Sequence, residues 1–301
     1  MKDDSRRFRV VDILYLCLII LPFVAGLVLK ILFSPPSEGI SITGALIYFT
    51  IPMPLQDWPI TEAQVNSLFV VIAVLGLCLY MTHGIRAGVP TKRQLLAEWV
   101  VEKLDSMTRE SMGEFFAGFA PFITAILAIS ALSSLSSLLG LFPPTSDVNI
   151  IAGWAILVFA LITYFKLKGG LGNYLKGFLE PIPVMLPLNI LGEVATPVSM
   201  TFRHYGNVLS GSVIAVLIAS ALGGLSSLLL GWLPGFLGDI PLLRVGIPAI
   251  LSLYFDIFSG CMQAYIFAML TMLNISGGFP QDLYEERKRK KADKKLAQIK
   301  N

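Results

Sequence analysis

Six long apolar segments constrain this chain more than any other feature of its sequence. Segments of this kind cross a bilayer, whose hydrocarbon core is about 30 Å thick. A backbone inside hydrocarbon must satisfy its own hydrogen bonds, which a single unbroken segment does as an α-helix. Only 14% of the 301 residues are charged, whereas soluble domains are about one quarter charged. The sequence therefore predicts an all-α polytopic membrane protein, with residues 1–301 forming a single membrane domain.

The predicted spans differ in length. The last two contain more residues than a helix with a rise of about 1.5 Å per residue needs to cross the hydrocarbon core. We therefore expect them to tilt strongly or to kink, for example at Pro197. Residues 90–118 have apolar side chains at helical spacing among charges, which predicts an amphipathic helix in the plane of the membrane interface, or alternatively a solvated loop helix. The six spans cover residues 11–33 (an extra anchor helix within 1–35), 65–81, 119–142, 150–165, 186–222 and 242–275.

The basic residues are distributed unevenly between the two sides of this predicted bundle. Of the 23 lysines and arginines, 20 lie before the first span, in the segments 81–118 and 165–185, or in the tail 280–301. The connections on the opposite side contain only Arg244, and Lys30 and Arg203 lie inside spans. Because cytoplasmic loops carry an excess of basic residues, both termini are predicted to be cytoplasmic.

The cysteines and histidines argue against metal, redox or nucleophilic chemistry. Cys17, Cys78 and Cys261 lie in apolar runs at no metal-ligand spacing and are predicted to be buried free thiols. His83 and His204 are the only histidines, and neither a His-Glu-x-x-His nor a Gly-x-Ser-x-Gly motif occurs. We therefore expect no cofactor and no catalytic activity of the chain on its own.

Arg203 is the most unusual residue of the fifth span. A guanidinium does not lose its proton in a protein, and its placement in hydrocarbon costs several kcal/mol. Arg203 therefore needs an anionic partner or a water-filled crevice. At helical spacing it shares one face with Gly206, Asn207 and Ser210.

The sixth span contains a second polar stripe. Asp256 is the only carboxylate inside this segment, and an intramembrane carboxylate is commonly part of an ion or proton relay. One interpretation is a static Arg203–Asp256 ion pair that joins two helices. The other is a hydrated half-channel, which better suits a stripe of hydroxyl, amide and carboxyl groups. Its members at helical spacing are Ser252, Asp256, Gly260 and Gln263, with Ser259 beside them.

Three motifs, in a fixed order, carry a resemblance to a known family. They are Pro144–Asn149 (PTSDVN), Pro197–Asn207 (PVSMTFRHYGN) and Gln263–Thr271 (QAYIFAMLT). Together they resemble subunit a of the bacterial F-type ATP synthase, the stator subunit of its membrane motor, over a core of residues 64–276. His204 and Tyr205 depart from the family's usual Leu-Phe, and Ser212 stands where many relatives carry Glu.

The resemblance implies a role for each polar residue. Arg203 would face a ring of c subunits, interact with each passing ring carboxylate and block leakage between two half-channels. Asp256 would stand in for a pair of family residues, the Glu at the position of Ser212 and the Glu or His at its own position, so the relay is altered rather than lost. Asn207, Asp256 and Gln263 would line the extracytoplasmic half-channel, and Glu193 and Ser199 lie nearer the cytoplasmic one. The implied ion-translocation residues are these five with Arg203 and Ser212; the ring-facing residues are Arg203, Gly206 and Ser210.

The same resemblance implies the setting in which the chain works. Ion flow, expected to be of protons with sodium ions as the alternative, would drive ring rotation for ATP synthesis in a bacterial plasma membrane. The implied partners are the c-subunit ring, the b-subunit peripheral stalk, the rest of the FoF1 ATP synthase and membrane lipids, with no nucleic acid. The alternative is a secondary ion-coupled transporter with an intramembrane Arg–Asp site. Such transporters usually show internal repeats, and none is found here.

Overall fold

Eight α-helices account for most of the residues that the structure describes. The computed structural model describes residues 2–34, 44–54, 56–85, 90–179, 182–230, 250–251 and 253–282. Short 3₁₀-helices lie at Glu114–Phe119, Ser136–Leu139, Pro144–Ser146 and Pro183–Met185, and a π-helix covers Leu253–Ser259. The α-helices are α1 (Lys2–Phe33), α2 (Glu62–Thr82), α3 (Lys92–Met112), α4 (Ala120–Leu135), α5 (Val148–Lys168), α6 (Leu171–Gly177), α7 (Leu186–Leu230) and α8 (Gly260–Gly277).

The helical fold and the number of spans are confirmed. Six helical stretches are long and apolar enough to cross a membrane: Val10–Phe33, Glu62–Thr82, Glu114–Leu139, Val148–Lys168, Pro183–Leu229 and Leu253–Gly277. The fifth runs past the predicted end at residue 222, and α7 continues through Pro197 for 45 residues. A helix of that length is about 68 Å long, more than twice the hydrocarbon thickness. Residues 242–249 of the predicted sixth span, Arg244 and most of the basic tail lie outside the described residues.

The three cysteines differ from the prediction. Cys17, Cys78 and Cys261 are free but exposed on the chain. Each stands on the outward face of a membrane-spanning helix, where apolar residues meet lipid or another subunit rather than a core. An apolar sequence context therefore did not distinguish burial inside the bundle from exposure on its outside.

The amphipathic helix is present as α3. Thr91 begins it, since its hydroxyl oxygen accepts the backbone N–H of Gln94 at 3.2 Å. Gly113 ends it with a φ of +83°, a conformation that side chains disfavour. Thr108 and Met112 in the second half of the helix are buried against the bundle, whereas the first half exposes large apolar side chains, as a helix at a lipid boundary does. These exposed residues are Leu95, Leu96, Trp99, Val100 and Val101.

A short β-hairpin between α1 and α2 was not predicted. Strand β1 (Ile47–Ile51) pairs antiparallel with β2 (Trp58–Thr61), with Ile47 opposite Thr61 and an irregularity before Phe49. Its strands are brief, and the second contains Pro59, which cannot donate a ladder hydrogen bond. Alternating hydrophobicity is too weak over so few residues to reveal a strand. The hairpin leads directly into α2, because Thr61 is both its last residue and the helix N-cap.

The C-terminal end of α1 is attached to the bundle by a buried polar cluster. Lys30 Nζ donates to the carbonyl oxygen of Gly140 at 2.6 Å and lies 3.9 Å from Glu62 Oε1. Glu62 is 2% exposed, and its Oε1 also accepts the backbone N–H of Phe142 at 3.2 Å. Burial, with the neighbouring charge of Glu62, raises the pKa of Tyr48 in the hairpin to about 12. The extra N-terminal helix is therefore joined to the hairpin and to the α4–α5 connection.

The other end of α1 carries a second ionic contact. Asp12 Oδ1 lies 3.0 Å from both Arg93 Nη1 and His83 Nδ1. Burial lowers the pKa of Arg93, but hydrogen bonds to Asp12 and Tyr80 and the charges of both groups together raise it, so the net shift is upward. The contact joins α1 to the end of α2 and the beginning of α3. Helix α1 thus packs along α2 with polar attachments at both ends.

The core lies where α8 packs between its neighbours. Phe267, Met272 and Ile275 of α8 are buried against apolar side chains of the surrounding helices. Helix α8 comes close to α4 at Gly260, where an added Cβ would lie 2.7 Å from Cβ of Ser134. Small residues let helices approach in this way. The apolar neighbours from the other helices are Met112, Phe116, Ile123, Ala155, Val158, Ile162, Phe165 and Met200.

We predict that Gly260→Ala destabilises the purified subunit. The new methyl group overlaps Ser134, and overpacking of this kind costs about 1–3 kcal/mol, so the melting temperature in detergent falls. Gly224→Ala is the control, because nothing lies within 4 Å of an added Cβ there. Adding Ser134→Gly to the Gly260→Ala variant removes the overlapping carbon and should restore part of the loss. Equal melting temperatures for the two single variants would contradict the assigned contact.

Candidate functional site

Helix α7 presents the predicted polar face to its surroundings. Ser199, Arg203, Asn207 and Ser210 are exposed, and Gly206 beside them is partly exposed. Among the described residues, Arg203 forms no ion pair. The static Arg203–Asp256 pair that the sequence left open is therefore not formed. The guanidinium points away from the bundle with its charge unneutralised within the described chain.

His204 packs among three other helices and thereby fixes the rotation of α7. It is 1% exposed, and its Nε2 lies 3.5 Å from Ser130 Oγ in α4. Its ring meets Trp154 of α5 and Phe267 of α8 edge-on, with centroids 6.4 and 5.6 Å away. Consecutive residues of a helix point about 100° apart. Burial of His204 therefore turns Arg203 outward.

Asp256 borders a small cavity between α4, α7 and the π-helix. The cavity has a volume of about 20 Å³, and that is room for about one water molecule. Asp256 is partly buried there, and Ser137, whose hydroxyl donates to the Ser134 carbonyl oxygen at 2.7 Å, lines the same cavity. Asn207 and Ser212 of α7 line the same cavity, so the structure brings three of the predicted site residues together. The remaining lining residues are Ser134, Val208, Gly211, Phe255 and Gly260.

The predicted stripe on the sixth span is only partly correct. Residues Leu253–Ser259 form a π-helix, whose i→i+5 hydrogen bonds change the angular spacing that an α-helix would have. Gly260 borders the Asp256 cavity, but Gln263 does not and is instead buried in the bundle at 7% exposure. Ser252 lies outside the described residues. The α-helical spacing assumed from sequence was wrong for this segment.

A larger cavity adjoins the Asp256 cavity at Ser212. It has a volume of about 650 Å³ and lies between the hairpin, the α4–α5 connection and α7. Ser212 borders both cavities, so a wide opening and a space for one water lie on either side of this residue. Asp147, which caps α5, and Tyr205 also line the wide opening. The other lining residues are Gly44, Ala45, Ile47, Thr61, Phe142, Pro143, Ser146, Val148, Leu209 and Val216.

Glu193, near the other end of α7, is ion-paired. Lys166 Nζ in the last turn of α5 donates to Glu193 Oε1 at 2.8 Å and to Oε2 at 2.7 Å. The hydroxyl of Tyr174 in α6 donates to Oε1 at 3.5 Å. Burial, followed by the Glu193 charge, raises the pKa of Tyr174, so this phenol stays protonated. Neither partner of Glu193 was predicted from the sequence. The three lysines clustered after the fourth span were nevertheless a signal that a nearby carboxylate would be ion-paired.

These features define a class of protein: a multi-pass membrane protein with an unpaired arginine on one helix and polar cavities toward either end of that helix. A sequence model of the family described as ATP synthase A chain matches residues 65–276. The chain belongs to this family, and it is a membrane-sector subunit of an ATP synthase. The secondary-transporter alternative is not favoured.

Curated relatives agree with this assignment. The chain is 32% identical over 222 residues to an ATP synthase subunit a of Acidothermus cellulolyticus, a match that covers 70% of this chain and 74% of the relative. It is 31% identical to the subunit a of Bacillus pumilus over 224 residues, covering 70% and 90% of the two chains. A relative of Propionigenium modestum, named ATP synthase subunit a, sodium ion specific, is 26% identical over 277 residues, covering 81% and 88%.

We predict that His204→Ala destabilises the purified subunit more than Phe202→Ala does. His204 fills a space between three helices, and truncation of a buried ring costs about 2–4 kcal/mol. Phe202, two positions earlier, is 61% exposed and loses little packing. Thermal unfolding in detergent measures the difference. Equal losses for the two variants would show that α7 is not rotated as described.

Proposed function

We propose that the chain is the ion-translocating stator subunit of the ATP synthase membrane sector. The observation that carries the proposal is the position of Arg203 on α7 between two separate polar regions. Glu193 lies on one side of it and Ser212 on the other, 19 residues apart. That separation is about 28 Å along the helix axis, close to the hydrocarbon thickness. The two regions therefore suit half-channels that open toward opposite membrane surfaces.

Arg203 would be the barrier between these half-channels. Its charge is permanent, and it is exposed with no anion beside it in the described chain. Because an unpaired cation at this depth is costly, the partner must come from another subunit. A carboxylate on a c-subunit ring meets this need, and a cation beside a carboxyl stabilises its ionised form and so promotes release of the bound ion. Gly206 and Ser210 on the same face let ring helices approach closely.

The extracytoplasmic half-channel would run from the hairpin opening past Ser212 to Asp256. Asn207 and Asp256 line the narrow part, where a single water could connect them. Gln263 takes a supporting position in the neighbouring packing, since it does not border that cavity. Glu193 and Ser199 would belong to the cytoplasmic half-channel. Each ion crossing is worth roughly 2.3 kcal/mol per 100 mV, so leakage past Arg203 would dissipate the energy that turns the ring.

The proposed setting follows from charge distribution and family. Both termini and the basic tail would be cytoplasmic in a bacterial plasma membrane, and residues 1–301 would form one membrane domain. The chain would make no covalent bond and hold no cofactor. Its partners would be the c-subunit ring, the b-subunit peripheral stalk, the rest of the FoF1 complex and lipids, but no nucleic acid.

Arg203→Ala is expected to abolish ATP-driven ion pumping in membrane vesicles while the soluble head continues to hydrolyse ATP. The physical reason is that no other cation can meet the ring carboxylate at this position. Arg109→Ala is the control, because Arg109 is an exposed arginine of α3 paired with Asp105 and Glu114. Full pumping in the Arg203 variant would rule out the proposed function.

Asp256→Asn is expected to slow ion flow at least about tenfold, because an amide cannot accept and release a proton at pH 7. Asp256→Glu should retain most of the flow, since it keeps the carboxyl. Asp105→Asn, on the exposed face of α3, serves as the matched control. The rate of passive flow through the membrane sector is the measurement. An unchanged rate for Asp256→Asn would favour a purely structural role.

Proton transport is expected to persist without sodium. A space for one water next to Asp256 suits proton transfer along hydroxyls and water, whereas a sodium ion would need several oxygen ligands to replace its hydration shell. ATP-driven pumping measured with and without added sodium separates the two ions. Strict dependence on sodium would contradict the proton assignment and leave the stator role intact.

A further inference from the structure

The contact between Lys166 and Glu193 is closer and better shielded than a surface ion pair. The ammonium reaches both carboxylate oxygens, and the two side chains are 28% and 15% exposed. A charge-assisted contact of this geometry is stronger than a neutral hydrogen bond. Removal of one partner would leave the other charge partly buried and unpaired, which is costly. The pair is therefore a well-defined state of the molecule.

The lysine stem is also held in place by the end of α8. An added Cβ at Gly278 would lie 3.0 Å from Lys166 Cε and 3.2 Å from Lys166 Cγ. The stem thus passes directly over a residue without a side chain. This fit leaves the ammonium at Glu193 and places the pair where α5, α7 and α8 meet.

Two cavities share the Lys166–Glu193 pair as part of their walls. The outer cavity, about 570 Å³, lies beside α6 and the beginning of α7 and is lined by Tyr174 and Leu188. The inner cavity, about 230 Å³, lies between α5, α7 and α8 and is lined by Asn274. A pair that served only to join helices would be expected to have packed side chains around it. The Lys166–Glu193 pair instead has a cavity with space for several waters on each side, as expected for side chains that separate two water-filled spaces.

We propose that Lys166 is a functional residue of the cytoplasmic half-channel, and that its pair with Glu193 is a gate between the outer and inner cavities. This inference rests on the assignment of that end of α7 to the cytoplasmic path. In the closed state the two side chains fill the passage. A hydronium ion in the outer cavity transfers its proton to the Glu193 carboxylate, which becomes neutral and releases the Lys166 ammonium. Glu193 then gives the proton to water in the inner cavity, and the ion pair forms again.

Tyr174 would support the closed state. Its hydroxyl donates to the same oxygen of Glu193 that Lys166 contacts, and it lines only the outer cavity. Because burial and the Glu193 charge raise the pKa of Tyr174, the phenol remains a donor at neutral pH. The gate therefore depends on two donors, one charged and one neutral, from α5 and α6.

Thiol labelling in the intact ATP synthase tests the gate. The three natural cysteines are replaced by alanine, and one cysteine is placed in either cavity by Leu188→Cys (outer) or Asn274→Cys (inner). A membrane-impermeant maleimide is applied from the cytoplasmic side. With the pair intact, the outer cysteine should react about tenfold faster than the inner one. Adding Lys166→Met, which keeps the stem but removes the charge, should accelerate the inner cysteine about tenfold and leave the outer one unchanged.

Matched variants distinguish the loss of the ion pair from a general effect of removing a charge and from misfolding. Lys176→Met removes an exposed lysine of α6 that borders neither cavity, and it should change neither labelling rate. Glu193→Gln should open the inner cavity as Lys166→Met does. The exchange of the two residues, Lys166→Glu with Glu193→Lys, rebuilds the ion pair and should keep labelling of the inner cysteine slow. This variant still tests the gate if Lys166→Met alone fails to assemble.

Equal labelling of both cysteines with the pair intact would overturn the gate, as would slow labelling of the inner cysteine in both Lys166→Met and Glu193→Gln. The measurement needs no pumping, so it fails or succeeds separately from the proposed function. Loss of pumping in Arg203→Ala without any labelling contrast would reject the gate alone. Normal pumping in Arg203→Ala would reject the proposed function, whatever the labelling shows.

Discussion

The structure depends on the need to place a permanent cation within the membrane without neutralising it inside the same chain. Arg203 can be neither deprotonated nor cheaply left in hydrocarbon. The fold resolves this by burying the adjacent His204 against three helices, which turns the guanidinium outward. The charge is thereby left available for the ring carboxylate that we propose as its partner. A static ion pair with Asp256 would have neutralised the charge of Arg203 within the chain.

The remaining helices are arranged around that outward-facing residue. The close contact of Gly260 with Ser134 brings α8 against α4, and the Asp256 cavity lies beside this contact. At the other end of α7, Gly278 gives Lys166 room to reach Glu193. The hairpin and the α4–α5 connection form the wall of the wide opening next to Ser212. The Asp256 cavity and the Lys166–Glu193 pair therefore each lie where two helices approach closely at a glycine.

The sequence predicted those features that follow from composition and regular spacing. Apolar length predicted six spans, and helical periodicity predicted the exposed face that contains Arg203 and Ser210. It did not predict the departures from regularity. The π-helix around Asp256 removed Gln263 from the expected stripe, because a change in helix type alters angular spacing without any change in composition. The Lys166–Glu193 pair joins residues 27 positions apart through a tertiary contact that spacing does not encode. The burial of His204 likewise depends on which side of α7 faces its neighbours.

The most direct test of the central claim is a structure of the intact ATP synthase that contains this chain. The account predicts that the Arg203 guanidinium faces the c-subunit ring at the level of the ring carboxylates, with His204 still buried against Trp154 and Phe267. It also predicts separate water-filled spaces at Asp256 and at Glu193, with no continuous path between them past Arg203. An Arg203 side chain paired with Asp256, or turned toward lipid away from the ring, would contradict the account.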